Sequence, residues 1–203
     1  MTNQIASIES VSRETRERLE IFANCLLRWN RTINLISKKD EATLWQRHIA
    51  DSLQLIPLID PLPTRAIDLG TGGGFPGLVL AIAAGITFDL VESDQRKCAF
   101  LREAARETAA PARIHAARAE AVSLTPAPLV TARALAPLPQ LVGLAASFVA
   151  PGGYCLFLKG ANADAELTEA AVQWHMRIER VPSQTAPNAT ILRISEIAPV
   201  LLP

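Results

Sequence analysis

The run Asp68-Leu-Gly-Thr-Gly-Gly-Gly-Phe-Pro-Gly77 constrains this chain more than any other stretch. The apolar pair Ala66-Ile67 leads into Asp68, and a helix-compatible apolar segment, Leu78 to Ala84, follows it. The glycines therefore sit where a buried strand hands over to a helix. Glycine at such a junction reaches positive φ and has no Cβ to hold a ligand away from the backbone. The helix N-terminus beyond adds unpaired N–H groups and a partial positive charge. Pro76 suits the first helical turn, where a missing N–H costs nothing. The junction has the form of a nucleotide cradle.

Strand–helix alternation continues after the cradle. Strands are expected at 66–69, 87–92, 112–116, 129–133, 153–159, 177–182 and 190–195, with helices at 77–84, 95–109, 138–148 and 163–175. Strands that are apolar throughout, alternating with helices, imply a parallel sheet covered on both faces. The last two strands are joined without a helix, through Pro182-Ser-Gln-Thr-Ala-Pro-Asn188, which makes an antiparallel end on an otherwise parallel sheet. The expected fold class is α/β, a seven-stranded, mostly parallel, Rossmann-like sheet with an antiparallel last strand. Its terminal pair resembles the class I methyltransferase fold rather than the second half of a dinucleotide-binding sheet.

Ahead of the sheet, Ser10 or Ser12 caps a helix running to about Asn30, with Leu19, Phe22, Ala23, Leu26 and Leu27 at helical spacing. Asp40 is expected to cap a second helix through His48, and Asp51 or Ser52 a third through Leu58. Pro57, Pro61 and Pro63 then mark a linker. Residues 1–62 therefore read as a helical cap belonging to the same domain as the core at 63–203.

A length of 203 residues and an apolar content of 49% suit one globular domain with a full core. The net charge of +0 argues against a strongly basic, non-specific nucleic-acid binder, while leaving room for a local basic patch. Cys25, Cys98 and Cys155 lie far apart with no C-x-x-C, so neither a disulfide framework nor a zinc site is expected, and no metal is called for. A reducing, cytoplasmic compartment follows from that cysteine usage. The first residues are polar and then crowded with charge, unlike a signal peptide, and no uninterrupted apolar run is long enough to span a membrane.

Two ligands compete for the cradle. Gly72-x-Gly74-x-x-Gly77 satisfies the dinucleotide fingerprint, and the same loop fits the Asp-x-Gly-x-Gly-x-Gly pattern that opens S-adenosylmethionine (SAM) sites. Asp68 decides between them. A carboxylate at the strand tip repels a pyrophosphate and attracts the ammonium of a methionine moiety. Asp68, Gly70 and Gly72 are accordingly expected against SAM.

Glu92 closes the second strand about 20 residues beyond the glycines, where an acid holds ribose hydroxyls. Asp94 nearby is expected to cap helix 95–109. Ala117-Arg-Ala-Glu120 follows the third strand, so Ala119 and Glu120 are placed at the adenine edge, or at the start of a helical turn. Arg133 closes the fourth strand above the crevice where open parallel sheets bind ligands. It is a candidate for contact with the substrate or the methionine carboxylate, or for pairing with a nearby acid. Absent after this strand are the Asn/Asp-Pro-Pro-aromatic loop of exocyclic-amine methylases and the cysteine nucleophile of cytosine-C5 enzymes. Cys155 falls in mid-strand as a small buried hydrophobe. An acceptor that needs neither device is a ring nitrogen with a free lone pair, such as guanine N7, for which alignment and desolvation suffice.

Lys159 is a candidate phosphate contact or an ordinary strand-end lysine. In the cap, Arg28, Arg31, Lys38, Lys39, Arg47 and His48, with interleaved Asn30 and Asn34, read either as an RNA-facing surface or as a solvated charged face. Trp29 and Trp45 are assigned to the core. His48 and Asp51, one helical turn apart, are read as stabilising a helix junction.

With these residues assembled, the chain resembles the bacterial small-subunit ribosomal RNA guanine-N7 methyltransferases, the glucose-inhibited division protein B family. The resemblance rests on Trp29-Asn-x-x-Ile-Asn-Leu35, Arg47-His48-x-x-Asp51-Ser52-Leu53, the loop 68–77, Glu92-Ser-x-x-x-Lys97, Arg118-Ala-Glu120, Arg133-Ala134 and Lys159-Gly160. It implies SAM-dependent methylation of guanine N7 in 16S rRNA, presented as naked RNA, the small subunit or an assembly intermediate; a monomer without a membrane partner is the separate expectation, although the sequence itself is silent on oligomeric state. It also implies cofactor contacts at Gly70, Phe75, Ala119, Glu120 and Arg133, with Arg133 as the catalytic candidate. Two departures stand out: Gly73 replaces a proline frequent in relatives, and the chain is less basic than an RNA enzyme is expected to be.

Overall fold

A computed structural model describes residues 11–200, so Ser10, one of the two expected caps, lies outside the described residues. The first helix, α1 (Arg13–Asn30), is capped by Ser12, whose side chain accepts from the Thr15 amide. Its buried stripe of Leu19, Phe22, Ala23 and Leu26 follows from the helical spacing of those apolar residues. Strands β1 (Arg65–Leu69), β2 (Thr87–Glu92), β3 (Ala112–Ala116), β4 (Ala127–Arg133) and β5 (Val149–Lys159) pair in parallel. The sheet continues through β7 (Thr190–Pro199) to β6 (Trp174–Pro182), in the order β3-β2-β1-β4-β5-β7-β6. β7 runs antiparallel to both neighbours, as expected of a class I methyltransferase sheet.

Helices cover both faces. One face carries α1 and the helices α3 (Gly77–Ala84) and α4 (Gln95–Glu107), packed around Phe22, Phe75, Phe88 and Phe100. The other carries α5 (Leu138–Ala146) and α6 (Ala163–Ala171), over Val130, Leu141, Val142 and Phe157. α1 is fastened to this body by Arg18, which donates to the carbonyls of Ile82, Thr108 and Ala109 at the ends of α3 and α4. Carbonyls there have no intrahelical partner and attract a cation. Trp29 packs edge-on to Phe100 at 6.2 Å, and Trp45 also rests against this core.

The segment between α1 and β1 differs from the expected pair of helices. Asp40 ends a short 3-10 turn (Lys38–Asp40) and its carboxylate accepts from Ser37, instead of opening a helix. Helical structure starts at Trp45 as a π-helix through Ala50 and continues into one α turn, α2 (Asp51–Leu53). Pro57, which lacks an N–H, limits the remaining helical structure to a 3-10 turn at Ile56–Leu58. Elsewhere the boundaries differ modestly. Helix α6 stops at Ala171, and β6 begins at Trp174, because the Trp174 and Ile178 side chains pack under the sheet.

Candidate active site

Strand β1 ends at Leu69, and the loop leaves it through Gly70 at φ 64°, a left-handed conformation open to glycine at little cost. The Thr71 amide reaches across to the Val91 carbonyl, tying the loop to β2. Glu92 then receives the Gly72 amide on one carboxylate oxygen at 3.0 Å and the Asp94 amide on the other at 2.8 Å. Asp94 in turn caps α4 by accepting from the Arg96 and Lys97 amides.

Asp68 sits beneath this loop rather than in it. Its side chain is fully buried and accepts from the Gly77 amide at 3.1 Å and the Thr131 hydroxyl at 2.6 Å. Burial pushes its carboxyl up to about 6, against the hydrogen bonds that favour the charged form. The start of α3 lies so close that a Cβ on Gly77 would fall 2.5 Å from the Asp68 Cβ. The expected carboxylate at the cofactor's ammonium is therefore a brace between β1, β4 and α3.

Above the loop opens a cavity of about 690 Å³. Of the residues predicted for the site, Gly70, Gly72, Phe75, Glu92, Ala119, Glu120 and Arg133 line it, and Asp68 does not. Arg133 is the most constrained of them. One guanidinium nitrogen donates to the Arg47 carbonyl at 3.2 Å and the Asp51 carboxylate at 3.3 Å, and the other contacts His48 Nδ1 at 2.7 Å. Its guanidinium carbon lies 4.9 Å from the centre of the Phe75 ring, on which the His48 ring also stacks at 5.0 Å. Burial and the Arg133 charge push His48 down to about 4, so the imidazole is neutral at pH 7. Because arginine has no acceptor, His48 Nδ1 takes the hydrogen bond and the ring proton is assigned to Nε2, 3.9 Å from an Asp40 carboxylate oxygen.

His48 and Asp51 are thus site residues, not mere joints between helices. The π-turn aims the Arg47 carbonyl, the His48 ring and the Asp51 carboxylate at one guanidinium. π-Helical turns recur at functional positions, but their registry is not written in residue spacing. The Arg47-His48-x-x-Asp51 cluster was the available signal. Lys159 resolves as a paired residue: its ammonium lies 2.5 Å from Glu166 and donates to the Ala136 carbonyl. Asn30, a candidate RNA contact by sequence, is turned inward, accepting from the Leu35 and Ile36 amides and donating to Glu41.

A second cavity of about 810 Å³ adjoins the first and shares with it His48 and the segment from Arg133 to Pro137. Its far wall is the β6–β7 connection. The Thr185 hydroxyl donates to Asp51, and Gln54 accepts from the Gln184 amide while donating to Asp51. The second oxygen of Asp51 faces Arg133, so one carboxylate joins the cap, the end of β4 and the β6–β7 loop.

Residues 15–191 match the model of the GidB family, described as rRNA small subunit methyltransferase G. The chain belongs to this family. It is 60% identical over 207 aligned positions to the ribosomal RNA small subunit methyltransferase G of Acidiphilium cryptum, covering 95% of each chain. Identity to the protein of the same name from Granulibacter bethesdensis is 56% over 190 residues, covering 94% of this chain and 89% of the relative. Among solved structures, a TehB-like SAM-dependent methyltransferase from Corynebacterium glutamicum superposes with a TM-score of 0.60 at 15% identity, covering 87% of this chain and 98% of the other. A structure of MtNAS in complex with S-adenosylmethionine gives 0.59 at 14% identity, covering 88% and 74%. At those identities the two structures speak for the fold alone. The matched span, residues 15–191, contains both the glycine loop and the residues that hold Arg133.

Proposed function

We propose that this protein transfers the methyl group of SAM to N7 of a guanosine in the 16S RNA of the small ribosomal subunit. The observation that carries this reading is Arg133, held by the cap on the wall between two adjoining cavities, one of them a glycine-lined nucleotide cradle. Membership of a family described as acting on small-subunit rRNA supports the acceptor.

SAM fits the cradle on the protein's own geometry. Gly70 and Gly72, both at positive φ, present backbone rather than side chains to the cavity. Each Glu92 oxygen has one amide partner and retains a lone pair for a ribose hydroxyl. Gly70, Gly72, Phe75, Ala119, Glu120 and Arg133 complete the contact, with Asp68 bracing the loop from below. When bound, SAM supplies a methyl group on a cationic sulfur.

The protein's contribution is alignment and exclusion of water. Guanine N7 carries a lone pair and no proton, so no general base is required. The side chains agree. His48 is neutral and turned to Arg133, and Cys155 is fully buried in β5, where burial pushes its thiol up and away from thiolate. Arg133 offers donors suited to the O6 edge of guanine beside N7. In this reading the protein works as a cytoplasmic monomer, with residues 1–62 as the cap of a single domain and the small subunit or an assembly intermediate as its partner. No helix among the described residues is long and apolar enough to cross a membrane.

Incubation with tritiated SAM and small subunits lacking the modification tests the reading, with label expected in RNA. Tight binding of NADH without binding of SAM, or label confined to protein, sinks it.

A further inference from the structure

The wall between the two cavities contains an unusual piece of backbone. Ala134, immediately after β4, has φ 53°, a left-handed conformation that L residues other than glycine seldom adopt. Such strain persists only where surrounding structure enforces it, and it gathers at ligand clamps. Here the turn carries the next side chain, Leu135, out between the cavities, and Leu135 lines both.

Leu135 is 37% exposed, one of few large apolar side chains so exposed among the described residues. It lies across Gly70: a Cβ at that glycine would fall 2.5 Å from Leu135 Cδ1. Glycine at position 70 thus serves two ends, the positive φ of the loop and the room that Leu135 occupies. On the polar side of the same wall, Arg133 is fixed by His48 and Asp51, while Lys159 is engaged with Glu166. An apolar face beside a clamped guanidinium suits a purine, which offers a flat ring for packing and acceptors along one edge.

We propose that Leu135 is a positioning residue for the acceptor nucleotide. In the second cavity the purine ring packs on Leu135, which sets how near the ring nitrogen comes to the methyl group held in the first. This inference rests on the methyltransferase reading, and its test separates the two.

Steady-state transfer from tritiated SAM to unmodified small subunits is measured for the wild type, Leu135→Ala and Leu135→Met, with SAM affinity measured by calorimetry. Leu135→Ala is expected to lower kcat/KM for the subunit by about fivefold or more, since it removes three carbons of apolar surface on which the ring packs. Because Leu135 also borders the first cavity, SAM affinity is expected to fall, but by clearly less than kcat/KM for the subunit, and Leu135→Met, which keeps an apolar face, should recover most of both losses. A kcat/KM for Leu135→Ala that falls by less than about fivefold, or a loss of SAM affinity equal to the loss of kcat/KM, overturns the inference. Should the wild type itself leave the RNA unlabelled, the methyltransferase reading fails first. If the wild type labels RNA and Leu135→Ala does so equally well, only the role of Leu135 is lost.

Discussion

Arg133 and Asp68 divide the chemistry of the site in a way that residue type alone does not reveal. Both are charged groups at strand ends, yet one faces the cavities and the other is sealed beneath the loop. Arg133→Ala should lower kcat/KM for methyl transfer about 100-fold, a loss of about 2.7 kcal/mol in transition-state stabilisation. Arg133→Lys should restore only part of it, because lysine keeps the charge without the planar fork that meets His48 and Asp51 together. Single-turnover assays read both, and wild-type turnover in the alanine variant would assign Arg133 to structure alone.

His48 predicts a pH effect. Its folded pKa, near 4, lies below the ordinary histidine value, so its contribution to stability is present above about 6.5 and is lost as pH falls toward 4. Between pH 7 and pH 4.5 the wild type should therefore lose about 1–3 kcal/mol more stability than His48→Gln. Asp68, raised to about 6, works in the opposite sense, with its contribution lost as pH rises through that value. Because it is present in both proteins it cancels from the comparison. Denaturant titrations at the two pH values check the difference, and parallel losses would contradict it. The sequence showed that an acid stood at the strand tip. Only the packing of Gly77 and Thr131 against Asp68 shows that its oxygens are spoken for.

Among elements, the strand–helix junction is where sequence and structure agree most closely. The buried stretches of β1, β2, β4 and β5 are mostly apolar and α4 carries its Asp94 cap, so these elements were legible from composition and periodicity. The close approach at the junction predicts the cost of one substitution. Gly77→Ala places a methyl group 2.5 Å from the Asp68 Cβ and 2.6 Å from Leu90 Cδ2. Overpacking of this kind costs about 1–3 kcal/mol, which a shift in denaturation midpoint measures, and an unshifted midpoint would rule the account out. The π-helix at Trp45–Ala50 was not legible, because an i→i+5 registry has no propensity signature. It is nonetheless what brings His48 and Asp51 to Arg133. The extent of β6 was hidden too, since Trp174 and Met176 alternate toward the core just where a helical period also fits.

At the scale of the molecule, three distant segments close on one arginine. Asp51 links the cap, the end of β4 and the β6–β7 loop, and the two cavities meet along Arg133 to Pro137. The glycine loop announced a nucleotide, and the alternation of elements announced the sheet. The joining of cap and loop across the crevice depends on contacts between residues more than 80 positions apart, which no local pattern records. Those contacts stand at the wall between the two cavities. The acceptor atom is read by mapping the modified nucleotide in 16S RNA from subunits treated with the protein and SAM, by chemical cleavage at 7-methylguanosine followed by reverse transcription. One new stop is expected at a single guanosine, dependent on SAM and forming about 100-fold more slowly with Arg133→Ala; methyl groups incorporated into RNA with no such cleavage site would overturn the N7 assignment.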